Sequence, residues 1–334
     1  MVFGEFKTVD GKETLATEDF GTVNSNGTEP VMKGTKTTWN VVATTDGIVV
    51  PKYTEISTNV SISVKDDVNF NIYTDVEGIV DVKGMSSDSD IIVKIGDRES
   101  KLTDATKASA EGRITLPVSP AQLNDKITLS LVDTDTTVTI LENYTIYDYC
   151  KHIINNYDDE NVVELCKTLI NYGIEAQAVF DDGYAGETIA EGYTSAYSAT
   201  QRTATVFATD SETYDPEMIS FLALDKSGVR FYYNPSLDEN VSIDVGDTGL
   251  KTGSGVVNGY KEDGEKVADG LNYVQVEAIE AIDLAAEFTV TVNGLPFTYS
   301  ALQCVYDLAT LKPEYMDFYN ALDQYYQAAV ACFN

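Results

Sequence analysis

The seven residues IIVKIGD at positions 91–97 decide the fold, because a diverged copy, VSIDVGD, stands at positions 241–247. Both runs alternate apolar and polar side chains before a Gly-Asp pair, a pattern typical of a half-buried strand that enters a turn. Three more pairs of runs match in the same order: 68–72 with 229–233, 114–118 with 273–277, and 127–131 with 288–292. The sequence therefore predicts two diverged copies of one module.

The apolar period changes from two to 3.6 after each set of strands. Residues 144–157 and 162–180 are predicted to form one helical hairpin, and residues 298–311 and 315–333 a second. In the last helix of each pair, four residues match at a constant offset: Leu169, Tyr172, Ala176 and Phe180 with Leu322, Tyr325, Ala329 and Phe333. We expect an α+β fold in which each copy is an antiparallel β-sheet or sandwich unit followed by an α-helical hairpin. A lone hairpin cannot bury its apolar stripe, so the two copies should pack as one body.

Four segments follow from this pattern: an N-terminal β-rich segment at 1–55, the first repeat at 56–182, a linker at 183–197 and the second repeat at 198–334. The linker is placed where glycines cluster. The glycine-rich run GSGVVNG at 253–259 precedes no helix, so it is interpreted as a mobile loop between strands.

The formal net charge is −32, with 54 acidic residues against 22 basic ones. Such a surface repels phosphate backbones and anionic lipid, which excludes nucleic acid as an expected partner. No run approaches the roughly 18 apolar residues of a membrane span, so no membrane insertion is expected. Residues 1–6 lack a basic stretch followed by an apolar run and predict no signal peptide.

Residues that could support catalysis are few. The one histidine, His152, lies in a predicted helix among polar residues and is interpreted as solvated or structural. There is no Gly-x-Ser-x-Gly motif and no phosphate-binding P-loop. A glycosidase needs only two carboxylates, but 54 acids make any one pair uninformative, and the chain has one tryptophan for sugar subsites. The protein is therefore predicted not to be an enzyme.

No cofactor is predicted, although calcium stays open as an alternative. Asp88-Ser89-Asp90, Asp133-Thr134-Asp135 and Asp210-Ser211-Glu212 alternate oxygen ligands, but none continues into an EF-hand loop. The other interpretation of these runs is turn chemistry. Of the four cysteines, Cys150 and Cys166 flank the turn of the first predicted hairpin, while Cys304 and Cys332 lie in the second. Disulfide pairing, Cys150 with Cys166 or Cys304 with Cys332, and small buried thiols in a helix interface both remain open.

The aromatic residues give the remaining indication of function. Tyrosine, with 21 residues, far exceeds tryptophan, and a tyrosine ring combines an apolar face with a hydroxyl that can bind sugar. Alternation in residues 229–233 points Phe231 inward and Tyr232 outward. The candidate ligand-binding residues are those predicted outward or in loops, set against simple packing as the alternative: Trp39, Tyr73, Tyr232, Tyr184 and Tyr193.

Three runs resemble a module common in large secreted and cell-surface proteins of gut and rumen clostridia: SPAQLNDKI at 119–127, YTIYDY at 144–149 and LINYGIEAQAVF at 169–180. The resemblance covers about residues 56–334, and Asn171-Tyr172-Gly173-x-x-Ala176-Gln177 is its most specific part. The second copy departs there, with DQYYQAA at 323–329. Some such proteins carry dockerins and take part in cellulosomes, including adhesins that hold cells to plant fibre. The resemblance implies an extracellular or cell-surface location and a non-catalytic role.

Together these observations predict a non-catalytic carbohydrate-binding or adhesion module for plant cell-wall polysaccharide, cellulose included. A structural spacer or protein-binding module of a bacterial surface assembly, with other surface proteins as partners, is the first alternative. A glycoside-active enzyme is the second.

Overall fold

A computed structural model describes five strands within residues 5–53, and then residues 59–64, 68–74, 88–102, 113–134, 136–180, 192–207, 218–223, 227–234, 239–260 and 266–333. The chain divides into two compact units. One contains residues 1–63, 69–116 and 124–152, and the other contains residues 64–68, 117–123 and 153–334. Strands and helices occur together, so the predicted α+β class is confirmed. The predicted segment borders stay predictions.

The first unit is built from antiparallel strands. The strands are β1 (Glu5–Val9), β2 (Lys12–Ala16), β3 (Val31–Met32), β4 (Trp39–Ala43), β5 (Val49–Tyr53), β6 (Asn59–Ser63), β7 (Asn69–Tyr73), β8 (Asp90–Ile95), β9 (Arg98–Lys101), β10 (Arg113–Pro117), β11 (Ile127–Val132) and β12 (Thr137–Tyr144). They form two four-stranded sheets, β10-β7-β6-β3 and β12-β11-β8-β9, and the two pairs β1-β2 and β4-β5.

Alternation fills the core of this unit. On β8 and β11, Ile91 pairs with Leu131 and Val93 with Leu129, and all four side chains are buried. The ring of Phe70 on β7 lies 5.8 Å from the ring of Tyr144 on β12, measured between centroids. Because these strands belong to different sheets, this contact places the two sheets around one core.

The second unit contributes seven more strands: β13 (Ile219–Ala223), β14 (Ser227–Tyr233), β15 (Val241–Asp244), β16 (Lys251–Tyr260), β17 (Lys266–Ile279), β18 (Phe288–Val292) and β19 (Leu295–Tyr299). They form the sheets β13-β14-β17-β16 and β15-β18-β19. Phe207 reaches the core of this unit, where its ring contacts the rings of Phe231, Phe297 and Tyr299.

The strand order of the sheets can be compared directly. In one sheet β7 lies between β6 and β10, and in another β14 lies between β13 and β17. Likewise β11 lies between β8 and β12, and β18 between β15 and β19. Inward pairs also correspond in register, because Val241 pairs with Val292 and Ile243 with Val290. A glycine with positive φ, Gly96 at +57° and Gly246 at +54°, follows β8 and β15.

Four helices complete the described chain: α1 (Ile146–Asn156), α2 (Glu160–Phe180), α3 (Ala301–Leu311) and α4 (Met316–Phe333). Three begin at side-chain caps that the sequence encodes. Thr145 and Asp148 exchange hydrogen bonds in a capping box, Asp159 accepts from the backbone of Asn161, and Ser300 accepts from the backbone of Gln303. No helix among these described residues is both long and apolar enough to cross a membrane.

Helices α2 and α4 pack against each other through aromatic rings. Tyr172 stacks on Tyr325 with a centroid distance of 5.3 Å and an interplanar angle of 12°. The late residue Phe180 meets the early residue Phe318 edge-on at 5.5 Å. Contacts between the end of one helix and the start of the other show that the helices run antiparallel. Beside the stacked rings, the Asn171 side chain donates to Gln324 Oε1 at 3.5 Å.

The structure differs from the predicted elements in three places. Residues 144 and 298 were expected to begin helices, but β12 and β19 extend to Tyr144 and Tyr299 before the helices start. The interpretation of residues 253–259 as a mobile loop is wrong, since they lie within β16. These strands are at sheet edges and carry polar or glycine residues, so the alternation that reveals a central strand is weak in them.

Candidate functional site

The outward face of the β13-β14-β17-β16 sheet is the candidate site. Inward residues of these strands, among them Val229, Phe231 and Val276, are fully buried, which fixes the alternate residues on the outer side. Five side chains on this outer side and two glycines beside them are half-buried. We call these seven residues the tyrosine–arginine face: Ser220, Arg230, Tyr232, Tyr273, Gln275, Gly253 and Gly255.

Strand register brings the members of this face together in two rows. Tyr232 on β14 lies opposite Tyr273 on β17, which in turn lies opposite Gly255 on β16. In the next row, Ser220, Arg230, Gln275 and Gly253 follow one another across the four strands. Cross-strand neighbours on one face are close enough for their side chains to interact, so each row is a continuous surface.

The glycines of β16 make room for the Tyr273 ring. A Cβ atom at Gly255 would lie 2.6 Å from Tyr273 Oη and 2.7 Å from Cζ, which is shorter than any real Cβ contact. The ring therefore leans over backbone that has no side chain. The result is a flat strip of ring and bare backbone along the edge of the sheet, and a larger residue at position 255 would displace the ring.

The guanidinium of Arg230 lies over the Tyr273 ring, with Cζ 4.1 Å from the ring centroid. The same Cζ is 5.9 Å from the centroid of Tyr232. These distances are within the range of cation–π attraction, which contributes roughly 0.5–1 kcal/mol at a partly exposed site. The two rings meet each other at 64° with centroids 6.3 Å apart. Arg230 is thus held between two tyrosines.

A chain of hydrogen bonds fixes the orientation of Arg230. Its Nε donates to Gln275 Oε1 at 2.9 Å, and Gln275 Nε2 donates to Glu277 Oε2 at 2.7 Å. Tyr232 Oη and Ser220 Oγ lie 3.3 Å apart and share a hydrogen bond. The face therefore combines aromatic surface with polar groups in fixed positions, an arrangement suited to holding a ligand.

Of the five predicted residues, Tyr232 lies in this face. Tyr73 lies in the other unit on β7, where its Oη is 3.3 Å from Ser61 Oγ. Tyr193 is half-buried in the segment 192–207. Trp39 lies in β4, but its side chain is outside the described residues, as is the whole of Tyr184.

Tyr73 borders a polar cluster in which Ser61 and Asn71 are buried and Ser63 and Thr115 are half-buried. Asn71 is 1% exposed, and its side-chain nitrogen donates to Ser63 Oγ at 3.0 Å and to Ser61 Oγ at 3.4 Å. Its oxygen accepts from Thr115 Oγ1 at 2.9 Å. We call Ser61, Ser63, Asn71 and Thr115 the serine–asparagine face. Its polar groups bond with one another, so it offers little to a ligand.

The segment 192–207, which we call the strap, crosses three helices in extended form. Glu164 of α2 accepts from the Ala196 backbone at 2.8 Å, Asp323 of α4 from Thr200 at 2.8 Å, and Asp307 of α3 from Thr205 at 3.0 Å. Burial alone would raise the pKa of Glu164, but hydrogen bonds from Lys167 and Ala196 outweigh it and lower the pKa. The helices thus hold the strap mainly by its main chain.

Further polar contacts tie the strap to α4. Arg202 Nε donates to Tyr319 Oη at 3.1 Å, and its Nη2 lies 3.6 Å from Asp323 Oδ1. Gln327 Nε2 donates to the backbone oxygen of Ser198 at 2.9 Å and to Asp323 Oδ2 at 2.7 Å. Asp323 is 1% exposed, and its Oδ2 accepts from Thr200 and Gln327. Its Oδ1 has no hydrogen-bond partner among the described residues and only the charge of Arg202 nearby.

The acidic runs proposed as calcium ligands are engaged otherwise where the structure describes them. Asp133 Oδ1 accepts from the Thr134 backbone at 2.7 Å, which is turn chemistry, and Asp90 pairs with Lys101 at 2.6 Å. No group of three or more metal-ligating side chains occurs among the described residues. Asp135 and the run 210–212 lie outside them.

All four cysteines are free thiols, and Cys150, Cys166 and Cys304 are buried. Burial, with Asp307 nearby, raises the pKa of Cys304, so this thiol stays protonated and unreactive. The sequence left open a disulfide or two small buried thiols, and in this structure Cys150 and Cys166 are buried thiols.

Arg230, Tyr273 and Gln275 were not predicted as site residues. Matching 273–277 with 114–118 placed Tyr273 beside Ile114, an inward position. Tyr273 instead pairs with the outward Tyr232, and Val274 pairs with the inward Phe231. A break in register after Ser227 and a positive φ of 52° at Ala278 mark the bulge that shifts the strand by one residue. The alternation of Val274 and Val276 with Tyr273 and Gln275 is the sequence signal for the outward side of Tyr273.

Comparison of the chain with protein-family models, curated protein sequences and solved structures gives no match.

Proposed function

We propose that this protein is a non-catalytic carbohydrate-binding module for plant cell-wall polysaccharide, cellulose included, and that the tyrosine–arginine face is its binding surface. The observation that carries the proposal is the row Tyr232, Tyr273 and Gly255, with Arg230 held over the ring of Tyr273. Sugar rings present C–H groups on their faces and hydroxyls on their rims. A face of rings edged by fixed amide, hydroxyl and guanidinium groups matches both kinds of group.

The charge of the chain supports a ligand that is largely neutral. A net charge of −32 disfavours polyanions such as nucleic acid over long distances, but it leaves the binding of a neutral glycan unaffected. The location of the face on the four paired strands of one sheet gives the side chains a rigid base. Rigid positions lower the entropy lost on binding.

We further propose that the chain contains two copies of one module and that it acts outside the cell or on its surface. Matching strand orders, matching registers and glycines of positive φ at +57° and +54° support the duplication. The resemblance to modules of secreted clostridial surface proteins supports the location, and it favours a role in adhesion to plant fibre.

The test is retention of the purified chain on insoluble cellulose and on xylan, compared with Tyr232→Ala and Tyr273→Ala. Losing a ring that contacts sugar should weaken retention about tenfold, which corresponds to roughly 1.4 kcal/mol. Tyr193→Ala, in the strap, is the control and should bind normally. Equal retention of all four proteins, or passage of the native chain through every polysaccharide, would overturn the proposal.

A second candidate is a spacer or protein-binding module of a bacterial surface assembly. The observation that favours it is the burial of many large rings in cores, among them Tyr147, Tyr149, Tyr299 and Tyr319. This candidate predicts no retention on any polysaccharide and binding to a surface protein that survives Tyr232→Ala.

A further inference from the structure

Arg230 has no charged partner, although acidic residues dominate the chain. The sequence contains 54 acids and 22 basic residues, so a carboxylate is statistically the commonest charged neighbour. Within the described chain, Arg230 bonds only through Nε, to an amide oxygen of Gln275, and it forms no ion pair. By contrast, Arg202 and Lys101 each have an aspartate within reach.

The bonding of Arg230 leaves its terminal nitrogens available. A guanidinium has five N–H donors, and Nε uses one of them. The remaining four, on the two Nη atoms, find no acceptor among the described residues. Stacking on Tyr273 at 4.1 Å and the bond to Gln275 hold the plane of the group, so this pair of nitrogens is fixed before any ligand arrives. A planar pair of donors fits the two oxygens of a carboxylate.

We propose that Arg230 binds the carboxylate of a uronic acid residue carried on an otherwise neutral polysaccharide. This inference rests on the proposed function of the same face. The sugar ring lies against Tyr232, and its carboxylate takes both Nη atoms of Arg230. No covalent step is involved.

The net charge of the protein favours a polysaccharide with isolated uronic acid residues over one in which every sugar is a uronic acid. A polyuronate has a carboxylate on every sugar, and each would be repelled by a protein of net charge −32. Screening reduces this repulsion only beyond about 8 Å at physiological salt. A neutral chain with single acidic substituents adds one negative charge, which Arg230 meets directly. The expected ligand is therefore a neutral polysaccharide with single acidic substituents. A xylan with glucuronic acid side groups is the matching probe.

The neighbours of Arg230 also predict that lysine cannot replace it. An ammonium would keep the charge, but it has no planar pair of donors and no Nε–H to give to Gln275. Glu277 then holds Gln275 away from the ligand, since its carboxylate accepts from Nε2 at 2.7 Å. If Arg230→Lys no longer distinguishes the acidic from the neutral polymer, the planar pair of donors is required and the positive charge alone is not enough.

The experiment measures dissociation constants for glucuronoxylan and for the same polymer after its carboxyl groups are reduced to alcohols. The native chain should bind the acidic polymer about tenfold more tightly. Arg230→Lys and Arg230→Ala should bind both polymers alike, at the affinity that the native chain has for the reduced polymer. Arg98→Ala removes an exposed arginine of β9 and should keep the tenfold preference. Urea midpoints of the variants verify that each is folded.

The outcomes distinguish the two proposals. Equal binding of both polymers by the native chain, with Tyr232→Ala still weakening it, overturns the role of Arg230 and leaves carbohydrate binding intact. A preference that survives in Arg230→Ala also overturns the inference. Absence of binding to either polymer overturns the proposed function together with this inference. Tighter binding to polygalacturonate than to glucuronoxylan would contradict the argument from charge.

Discussion

The serine–asparagine face lies on β6, β7 and β10, and the tyrosine–arginine face lies on β13, β14, β16 and β17, and the side chains of the two faces behave in opposite ways. In the first, Asn71 is 1% exposed and satisfies Ser61, Ser63 and Thr115 by hydrogen bonds. In the second, the side chains are half-buried, and Arg230 retains donors without an acceptor in the described chain. A four-stranded antiparallel sheet therefore supports a cluster of polar groups that bond with one another in one place, and a surface with available donors in another.

The physical difference between the faces is where their polar groups find partners. A buried polar group that lacks a hydrogen bond costs roughly 1–3 kcal/mol, so a buried face must be self-sufficient. A half-exposed face can leave groups to water, and a ligand can replace that water. Similar strand pairing thus does not imply a shared function, because function depends on which groups are left available.

The two pairs of helices, α1 with α2 and α3 with α4, differ in the hydrogen-bond acceptors that they offer to the strap. In the second, Asp323 and Asp307 accept backbone N–H groups from the strap. At the position of α2 that matches Asp323, the first hairpin has the buried apolar residue Ile170. The strap is therefore held by Glu164 on α2 as well as by Asp307 and Asp323 on α3 and α4, and the contact of Asp323 has no polar counterpart at Ile170.

Asp323→Ala should give the largest effect of the changes that test this comparison. The change removes the acceptor for the Thr200 backbone and for Gln327, and it leaves Arg202 without its carboxylate. We expect a loss of about 3 kcal/mol in the free energy of unfolding, measured by urea denaturation. Asp323→Asn keeps an acceptor oxygen and should lose clearly less. Equal losses for the two variants would show that the acceptor is not what matters.

Asn71→Ala tests whether the serine–asparagine face is structural. The change removes the side-chain partner of Thr115 and one partner each of Ser61 and Ser63 around a buried position, so unfolding should become easier by about 2 kcal/mol. Arg230→Ala, a change on the other face, should cost less than about 1 kcal/mol because the lost contacts are half-exposed. The comparison fails if urea midpoints rank the two variants in the reverse order.

Gly255→Ala tests the strip beneath Tyr273 without removing any side chain. The new methyl group would meet the ring at 2.6 Å, so the ring must turn away and Arg230 must lose its stacking partner. Retention on polysaccharide should fall several-fold, while stability changes by less than about 1 kcal/mol, as expected for a change at a half-exposed site. Gly246→Ala, where no atom lies within 4 Å, is the control for binding. Unchanged retention in Gly255→Ala would remove Tyr273 from the site.

Glu175→Gln should give the smallest effect and depends on pH. Burial, together with the charge of Asp317, raises the pKa of Glu175. An acid whose folded pKa is raised destabilises the fold when ionised, so the glutamine variant should be more stable at pH 7, by less than about 1 kcal/mol. The gain should shrink as pH falls through the pKa of the folded protein. A gain that persists at pH 4 would need another cause, and Glu160→Gln, exposed in the first turn of α2, should show none.

Sequence patterns predicted the central strands and the helices because these elements alternate strongly or repeat at helical spacing. Val93, Phe231 and Leu169 lie buried where their pattern places them. The edge strand β16 was missed because its glycines are typical of loops, yet here they accommodate a ring from the next strand. The sequence of an edge strand depends more on the side chains of the neighbouring strand than on apolar and polar alternation.

The site was predicted only in part for a related reason. Tyr232 was found because alternation alone points it outward. The face also needs Tyr273, which the match of 273–277 with 114–118 aligned with the inward Ile114 although β17 has a bulge at Ala278. A shift of one residue reverses every side chain that precedes it in the strand. The available donors of Arg230 follow from three-dimensional contacts and have no counterpart in the sequence.

The packing of α2 on α4 covers the same stretch of each helix when the two are compared at the constant sequence offset. Tyr172 meets Tyr325 there, and Asn171 meets Gln324. Tyr172 and Tyr325 are both buried, so each helix covers the aromatic patch of the other. A further partner cannot bind through these two rings while the helices stay packed together.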